Sequence, residues 1–116
     1  MPKPCKANSA SFGRNVTRNW RVVRSRAAKA DLFEIWSYIA AHDLDAADRW
    51  LERIDAAIAR LAAFPGLGSV RPELPDEVFA FSLNPHLILY TQDETEQQVD
   101  IIRIIDARRD FGSLFL

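Results

Sequence analysis

The sequence predicts an α+β fold: an N-terminal strand, then an antiparallel helical hairpin packed on a small antiparallel sheet. Three observations carry this. Two stretches between Arg26 and Phe64 repeat apolar residues at helical spacing, with a short break between them. Three β-prone stretches follow after residue 77, separated by turn residues. A fourth β-prone stretch, Trp20-Arg21-Val22-Val23-Arg24, precedes the helices.

The elements follow in order. Residues 1–19 are polar and basic and lack any apolar period, which predicts a disordered basic tail; residues 20–116 form the single folded domain. Ser25 is placed to cap the first helix. On that helix Ala28, Leu32, Ile35, Trp36 and Ile39 share one face, and Asp31 and Glu34 are expected on its solvent side. His42-Asp43-Leu44 breaks the run, with Asp43 as the next N-cap and Asp45 and Asp48 near the positive end of the macrodipole. Ala47, Trp50, Leu51, Ile54, Ala57, Ile58, Leu61 and Phe64 line one face of the second helix, and Pro65-Gly66 stops it. So short a connection turns the helices antiparallel.

Residues 66–77 read as a loop punctuated by Gly66, Gly68, Pro72 and Pro75. Residues 78–83, 86–91 and 99–105 read as strands, joined by Asn84-Pro85 and by an acidic turn at 93–96, so they form an antiparallel meander. The last two strands are apolar at almost every position. A sheet with one wet face should alternate. One face can take the helices; the other is expected to expose Leu and Ile unless a partner or the tail covers it.

Composition narrows the function classes. Charged residues make up 27% and hydrophobic residues 48%, the balance of an ordinary globular domain. The net charge of −1 hides an asymmetry: residues 1–30 hold eight basic and no acidic side chains. A basic arm on an acidic body suits nucleic acid or an acidic partner, and equally a solvated tail. Cys5, the one cysteine, leaves no internal disulfide. No apolar run is long enough for a membrane span, and the expected location is cytoplasmic.

Chemistry-bearing motifs are sparse. There is no Gly-rich phosphate loop, no His/Cys metal cluster and no nucleophile elbow, so neither cofactor nor metal is expected. His86 opens a central strand, where it could act as a general acid or base or be a half-buried strand residue. Arg103 lies between isoleucines on the last strand, with Arg108 and Arg109 after it and Arg71 in the long loop. Such guanidinium groups can bind phosphate bidentately, or pair with Glu73, Asp106 or Asp110.

Taken together, the motifs resemble the RelE/ParE toxin superfamily, on the ParE (plasmid-stabilisation) side. The resemblance is carried by Ala30-Asp31-Leu32, Tyr38-Ile39-Ala40, Ala46-Ala47-Asp48-Arg49, Phe64-Pro65, Gly68, Arg71-Pro72-Glu73-Leu74, Leu87-Ile88-Leu89-Tyr90, Ile101-Ile102-Arg103-Ile104-Ile105 and Arg109-Asp110. It spans about residues 20–115 and rests on their order and spacing.

The resemblance implies the same β-αα-βββ fold. It also implies a toxin of a type II toxin–antitoxin pair, neutralised in complex with a cognate antitoxin whose C-terminal segment lies against the hairpin and sheet. Two activities are known in the superfamily: poisoning of DNA gyrase, and ribosome-dependent cleavage of mRNA. Cleavage through a 2′-OH needs a base, an acid and a cation; here His86, Arg103 and Arg109 would supply them, a thin set. Gyrase poisoning needs only a binding surface, so the non-enzymatic role is favoured. Arg71, Tyr90, Arg103, Arg108, Arg109 and Phe111 are the expected residues for binding target or antitoxin. Phe79 stands where members commonly carry Arg, and Asp106 where many carry His. These departures also allow a module that binds antitoxin but is no longer toxic.

Overall fold

The computed structural model describes residues 19–107. Its elements are β1 (Arg21–Arg24), α1 (Arg26–Ala40), α2 (Leu44–Ala63), β2 (Ser69–Val70), β3 (Phe79–Leu83), β4 (His86–Asp93) and β5 (Gln98–Asp106), with one 3-10 turn at Pro65–Leu67. They form a five-stranded sheet of order β1-β5-β4-β3-β2.

Both predicted N-caps are present. The Ser25 hydroxyl accepts from Ala28 N at 3.0 Å, and Asp43 Oδ1 accepts from Ala46 N at 3.1 Å. A two-residue turn at Ala41-His42 separates the helices, and the His42 ring meets the Tyr38 carbonyl at 3.1 Å.

The sheet differs from expectation in two respects, the first being that it is mixed. β3, β4 and β5 form the antiparallel meander, but β1 pairs parallel with β5, Val22 opposite Val99 and Arg24 opposite Ile101. The helical hairpin and the meander separate these two strands in sequence. A crossover that long permits parallel pairing, which a tight turn does not. The loop also hides a fifth strand, β2, two residues long and paired with β3.

Alternation places Phe79, Phe81, Ile88, Tyr90, Val99 and Ile101 on the helix side of the sheet. There they meet Trp50, Ile54, Ile58 and Leu61 of α2 and Ala28 of α1. The β4–β5 register shifts between Leu89 and Tyr90, whose partners are Arg103 and Ile101. Ile102 is the extra residue of this bulge, and Ile104 rather than Arg103 joins the helix-side core.

The second face is not open. Leu87, Leu89 and Ile105 are almost fully buried there, together with Ala80, under Leu74 and Val78 from the loop. The expected exposed leucines and isoleucines are therefore absent from β4 and β5. The loop achieves this by turning twice, with Leu74 N donating to Arg71 O and Val78 N to Pro75 O. The large apolar side chains left in water lie elsewhere, chiefly Phe33 and Tyr38 of α1 and Phe64, Leu67 and Val70 at the other end.

Candidate functional site

Helix α1 is far less covered than α2. Only Ala28 and Asp31 are buried in it, against seven residues in α2. It lies over the end of β5 that β1 leaves unpaired, because β1 stops opposite Ile101. Ser25 and α1 complete that edge. Ser25 N donates to Ile101 O, Ser25 Oγ donates to Ile102 O, and Asp31 Oδ2 accepts from Ile104 N at 3.0 Å. A helix thus satisfies backbone groups that a further strand residue would otherwise take.

Asp31 was expected on the solvent side. It is instead 8% exposed, and its carboxylate grips the Arg103 guanidinium at two points, Nε to Oδ2 at 2.8 Å and Nη2 to Oδ1 at 3.0 Å. The period of α1 places residue 31 beside Leu32 and Ile35, at the margin of the apolar face. The Asp31 hydrogen bonds hold the Arg103 pKa above its ordinary value, against the opposing effect of burial. Arg103 accordingly pairs with Asp31, and none of the three acids considered from sequence is its partner in this contact.

A cleft of about 620 Å³ opens beside this pair. One wall is a stripe of α1 (Asp31, Glu34, Ile35, Tyr38, Ile39); the other runs from Pro85 and His86 to Arg103–Asp106, with Trp50 also lining it. His86 and Arg103 therefore share one cleft, as the ribonuclease reading requires. Trp50 Nε1 donates to His86 Nδ1 at 3.2 Å. An indole N–H can only donate, so a neutral His86 carries its proton on Nε2. In that tautomer Nδ1 is occupied as an acceptor.

The other sequence-predicted residues scatter. Tyr90 is fully buried; its hydroxyl donates to Pro65 O at 2.6 Å and accepts from Gly68 N at 2.8 Å, and its ring stacks on Phe79. It pins the loop after α2 and offers no surface to a partner. Phe79, one of the two departures from the superfamily pattern, is thus a packing residue. Asp106, the other, faces His86 across the β4–β5 ladder and lines the cleft. Arg71 stands half-buried at the start of the loop that covers the second face, and it is not among the cleft residues. Arg108, Arg109 and Phe111 lie outside the described residues.

Sequence reading missed Asp31 and Tyr38. An acid at the edge of an apolar helical face, with an arginine between isoleucines on a strand, was the available signal for Asp31. Tyr38 fell outside the apolar set of α1, and only its 72% exposure beside the cleft draws attention to it.

The sequence model of the family described as "ParE toxin of type II toxin-antitoxin system, parDE" matches residues 22–111. The chain belongs to the ParE toxin family. Among curated ParE relatives, Toxin ParE3 of Caulobacter vibrioides is 32% identical over 94 residues, covering 80% of this chain and 92% of that protein. Toxin ParE1 of Mycobacterium tuberculosis is 31% identical over 93 residues, with coverage of 78% and 92%.

Solved structures show the same fold. The chromosomal ParDE system of P. aeruginosa matches with a TM-score of 0.66 at 19% identity, over 79% of this chain and all of that one. The RelBE2 toxin–antitoxin complex of Mycobacterium tuberculosis matches at 0.57 and 22% identity, over 76% of this chain and 98% of that one. The intact E. coli RelBE complex matches at 0.52 and 13%, over 78% and 99%. Among the described residues, no helix of this ParE family member is long and apolar enough to cross a membrane.

Proposed function

We propose that this ParE-family toxin is neutralised by an antitoxin laid along the outer surface of α1, and that it acts in the cytoplasm by binding DNA gyrase rather than by cutting RNA. The observation that carries the antitoxin seat is the state of α1: Phe33 and Tyr38 are each 72% exposed on a helix with two buried residues. Large aromatic side chains in water favour a partner surface, and aromatic residues dominate binding energy at such interfaces. The solved structures that share this fold are a ParDE toxin–antitoxin system and two RelBE toxin–antitoxin complexes, which supports the same reading. It narrows the expected seat, because the outer sheet face is already covered by the chain's own loop.

The non-enzymatic role draws support from the cleft. The Arg103 charge is engaged by Asp31, and Nδ1 of His86 is engaged by Trp50, so two groups a nuclease would use are already tied to the fold. In an assay with purified gyrase and relaxed plasmid, the protein should block supercoiling or trap cleaved DNA, and added antitoxin should relieve the block. No effect at large molar excess over gyrase contradicts this reading.

The second reading, a ribosome-dependent ribonuclease, is favoured by one observation: His86 and Arg103 share the cleft. Mapping transcript ends after induction in cells separates the two. Cuts within codons favour the nuclease; growth arrest with intact transcripts favours gyrase. Normal growth without the antitoxin favours a module that binds antitoxin and has lost its toxicity.

A further inference from the structure

We propose that three arginines on one flank of α2, Arg49, Arg53 and Arg60, hold the phosphodiester backbone of a nucleic acid. This contact depends neither on the antitoxin seat on α1 nor on the choice between gyrase and ribosome.

Helix α2 sorts its charges by side. At 3.6 residues per turn, residues 49, 53 and 60 fall within about 40° of one another, in a row about 17 Å long. All three are exposed, and among the described residues none of them forms an ion pair. The acids of α2 fall on other rows. Asp48 Oδ1 accepts from Trp36 Nε1 of α1 at 3.4 Å, and Asp55 pairs with Arg24 of β1 at 3.3 Å. Asp45 and Glu52 lie between the two flanks, on the outermost row.

The arginine flank faces β3. Arg53 Nη2 donates to Asn84 O at 3.2 Å, just past the end of that strand, and Arg60 Cζ lies 5.7 Å from the centroid of the Phe81 ring. These contacts fix two of the three heads at the seam between α2 and β3. They use little of the capacity there, because a guanidinium carries five N–H donors. Helix α1 sits against the other flank, so a ligand on the arginines does not cross Phe33 and Tyr38.

Guanidinium groups repeated along a line select a ligand whose negative charges also repeat. A phosphodiester backbone supplies this, with about 3.4 Å of rise per charge on each strand of a duplex. The planar fork of arginine binds phosphate oxygens bidentately. Phe64, one turn beyond Arg60, is 59% exposed and offers a flat ring to an unstacked base. An acidic peptide would leave that ring unused.

The test titrates the full chain into labelled duplex DNA and into labelled single-stranded RNA, read by fluorescence anisotropy across a range of salt. Each phosphate contact adds about 0.9 to the slope of log affinity against log salt on duplex DNA, and about 0.7 on a single strand. The slope of the parent should therefore exceed that of Arg49→Gln/Arg53→Gln/Arg60→Gln by about 2.7 on DNA or about 2.1 on RNA. On duplex DNA this amounts to an extra weakening of about 40-fold between about 50 and 200 mM salt. The tighter of the two ligands identifies the source of the backbone. Arg49→Lys/Arg53→Lys/Arg60→Lys keeps the charges and should keep most of the slope. Equal slopes in the parent and the glutamine variant overturn the proposal and assign any phosphate contacts to other basic residues. Loss of the slope in the lysine variant also overturns it, as does tighter binding of polyglutamate than of either nucleic acid.

Discussion

Replacing Asp31 with Ala tests how α1 is anchored. The substitution removes the acceptor of three hydrogen bonds, two from the Arg103 guanidinium and one from the buried Ile104 N–H. Bonds to charged groups contribute about 1.5–3 kcal/mol each, and a buried donor left without an acceptor costs about 1–3 kcal/mol. These figures do not add fully. The Arg103 side chain is 32% exposed and can turn its charge to water once released, so its share sits at the low end. The expected loss is about 2–4 kcal/mol, a large fraction of a stability of about 5–15 kcal/mol. Urea unfolding followed by far-UV circular dichroism reads it as a lowered midpoint at unchanged slope. Asp31→Asn retains an oxygen acceptor for Ile104 N and should cost about half as much. Arg103→Ala, which spares the Asp31–Ile104 bond, should also cost less than Asp31→Ala. An Asp31→Ala midpoint within about 0.5 kcal/mol of the parent refutes the reasoning, and returns Asp31 to the solvent side.

Three further outcomes follow from packing and burial. Gly68→Ala should destabilise by about 1–3 kcal/mol in the same unfolding assay, because a Cβ there would lie 2.5 Å from the Tyr90 hydroxyl oxygen and 2.8 Å from its ring. Burial pushes the Tyr90 phenol above its ordinary 10.0, partly offset by the Gly68 N–H, so this stabilisation is complete below pH 10 and lost as pH rises through the folded-state value. Unfolding midpoints measured across that alkaline window should fall in the parent, with the Tyr90 share of the fall missing in Tyr90→Phe. Ile54→Ala, at a site with no exposure in the centre of the main core, should cost about 2–5 kcal/mol by thermal or chemical melting.

The hairpin and meander are legible in the sequence because local signals agree there. Ser25 and Asp43 cap, Pro65 stops, and residues such as Trp50, Ile54 and Leu61 keep one period throughout α2. Three features are not legible, for separate reasons. The parallel pairing of β1 with β5 joins residues almost eighty positions apart, and no local pattern encodes it. The bulge at Ile102 resets the alternation inside Ile101–Ile105, where every residue but Arg103 is isoleucine, so period alone cannot assign faces. The cover over the second face comes from Leu74 and Val78, two apolar residues inside a loop marked by Pro and Gly, and a loop reading ignores them.

The candidate site was half legible. His86 and Arg103 were singled out and do share a cleft, yet their partners Trp50 and Asp31 come from helices distant in sequence. Tyr90 was expected at a binding surface and is fully buried. Its hydroxyl suggests a polar role, but on a strand apolar on both sides that role is internal. The apolar excess of β4 and β5 pointed to an uncovered sheet face, but that face is covered by Leu74 and Val78, and the exposed aromatics are Phe33 and Tyr38 of α1 with Phe64 after α2.

The proposed seat of an antitoxin on α1 is tested most directly by calorimetric titration of a cognate antitoxin into the parent protein and into a Phe33→Asp/Tyr38→Asp variant. Both side chains are mostly exposed, so the variant should melt within a degree or two of the parent. Its affinity should drop about 30-fold or more, the loss of about 2 kcal/mol that marks an interface hot spot. Equal affinity for both proteins, at equal melting temperature, contradicts the account.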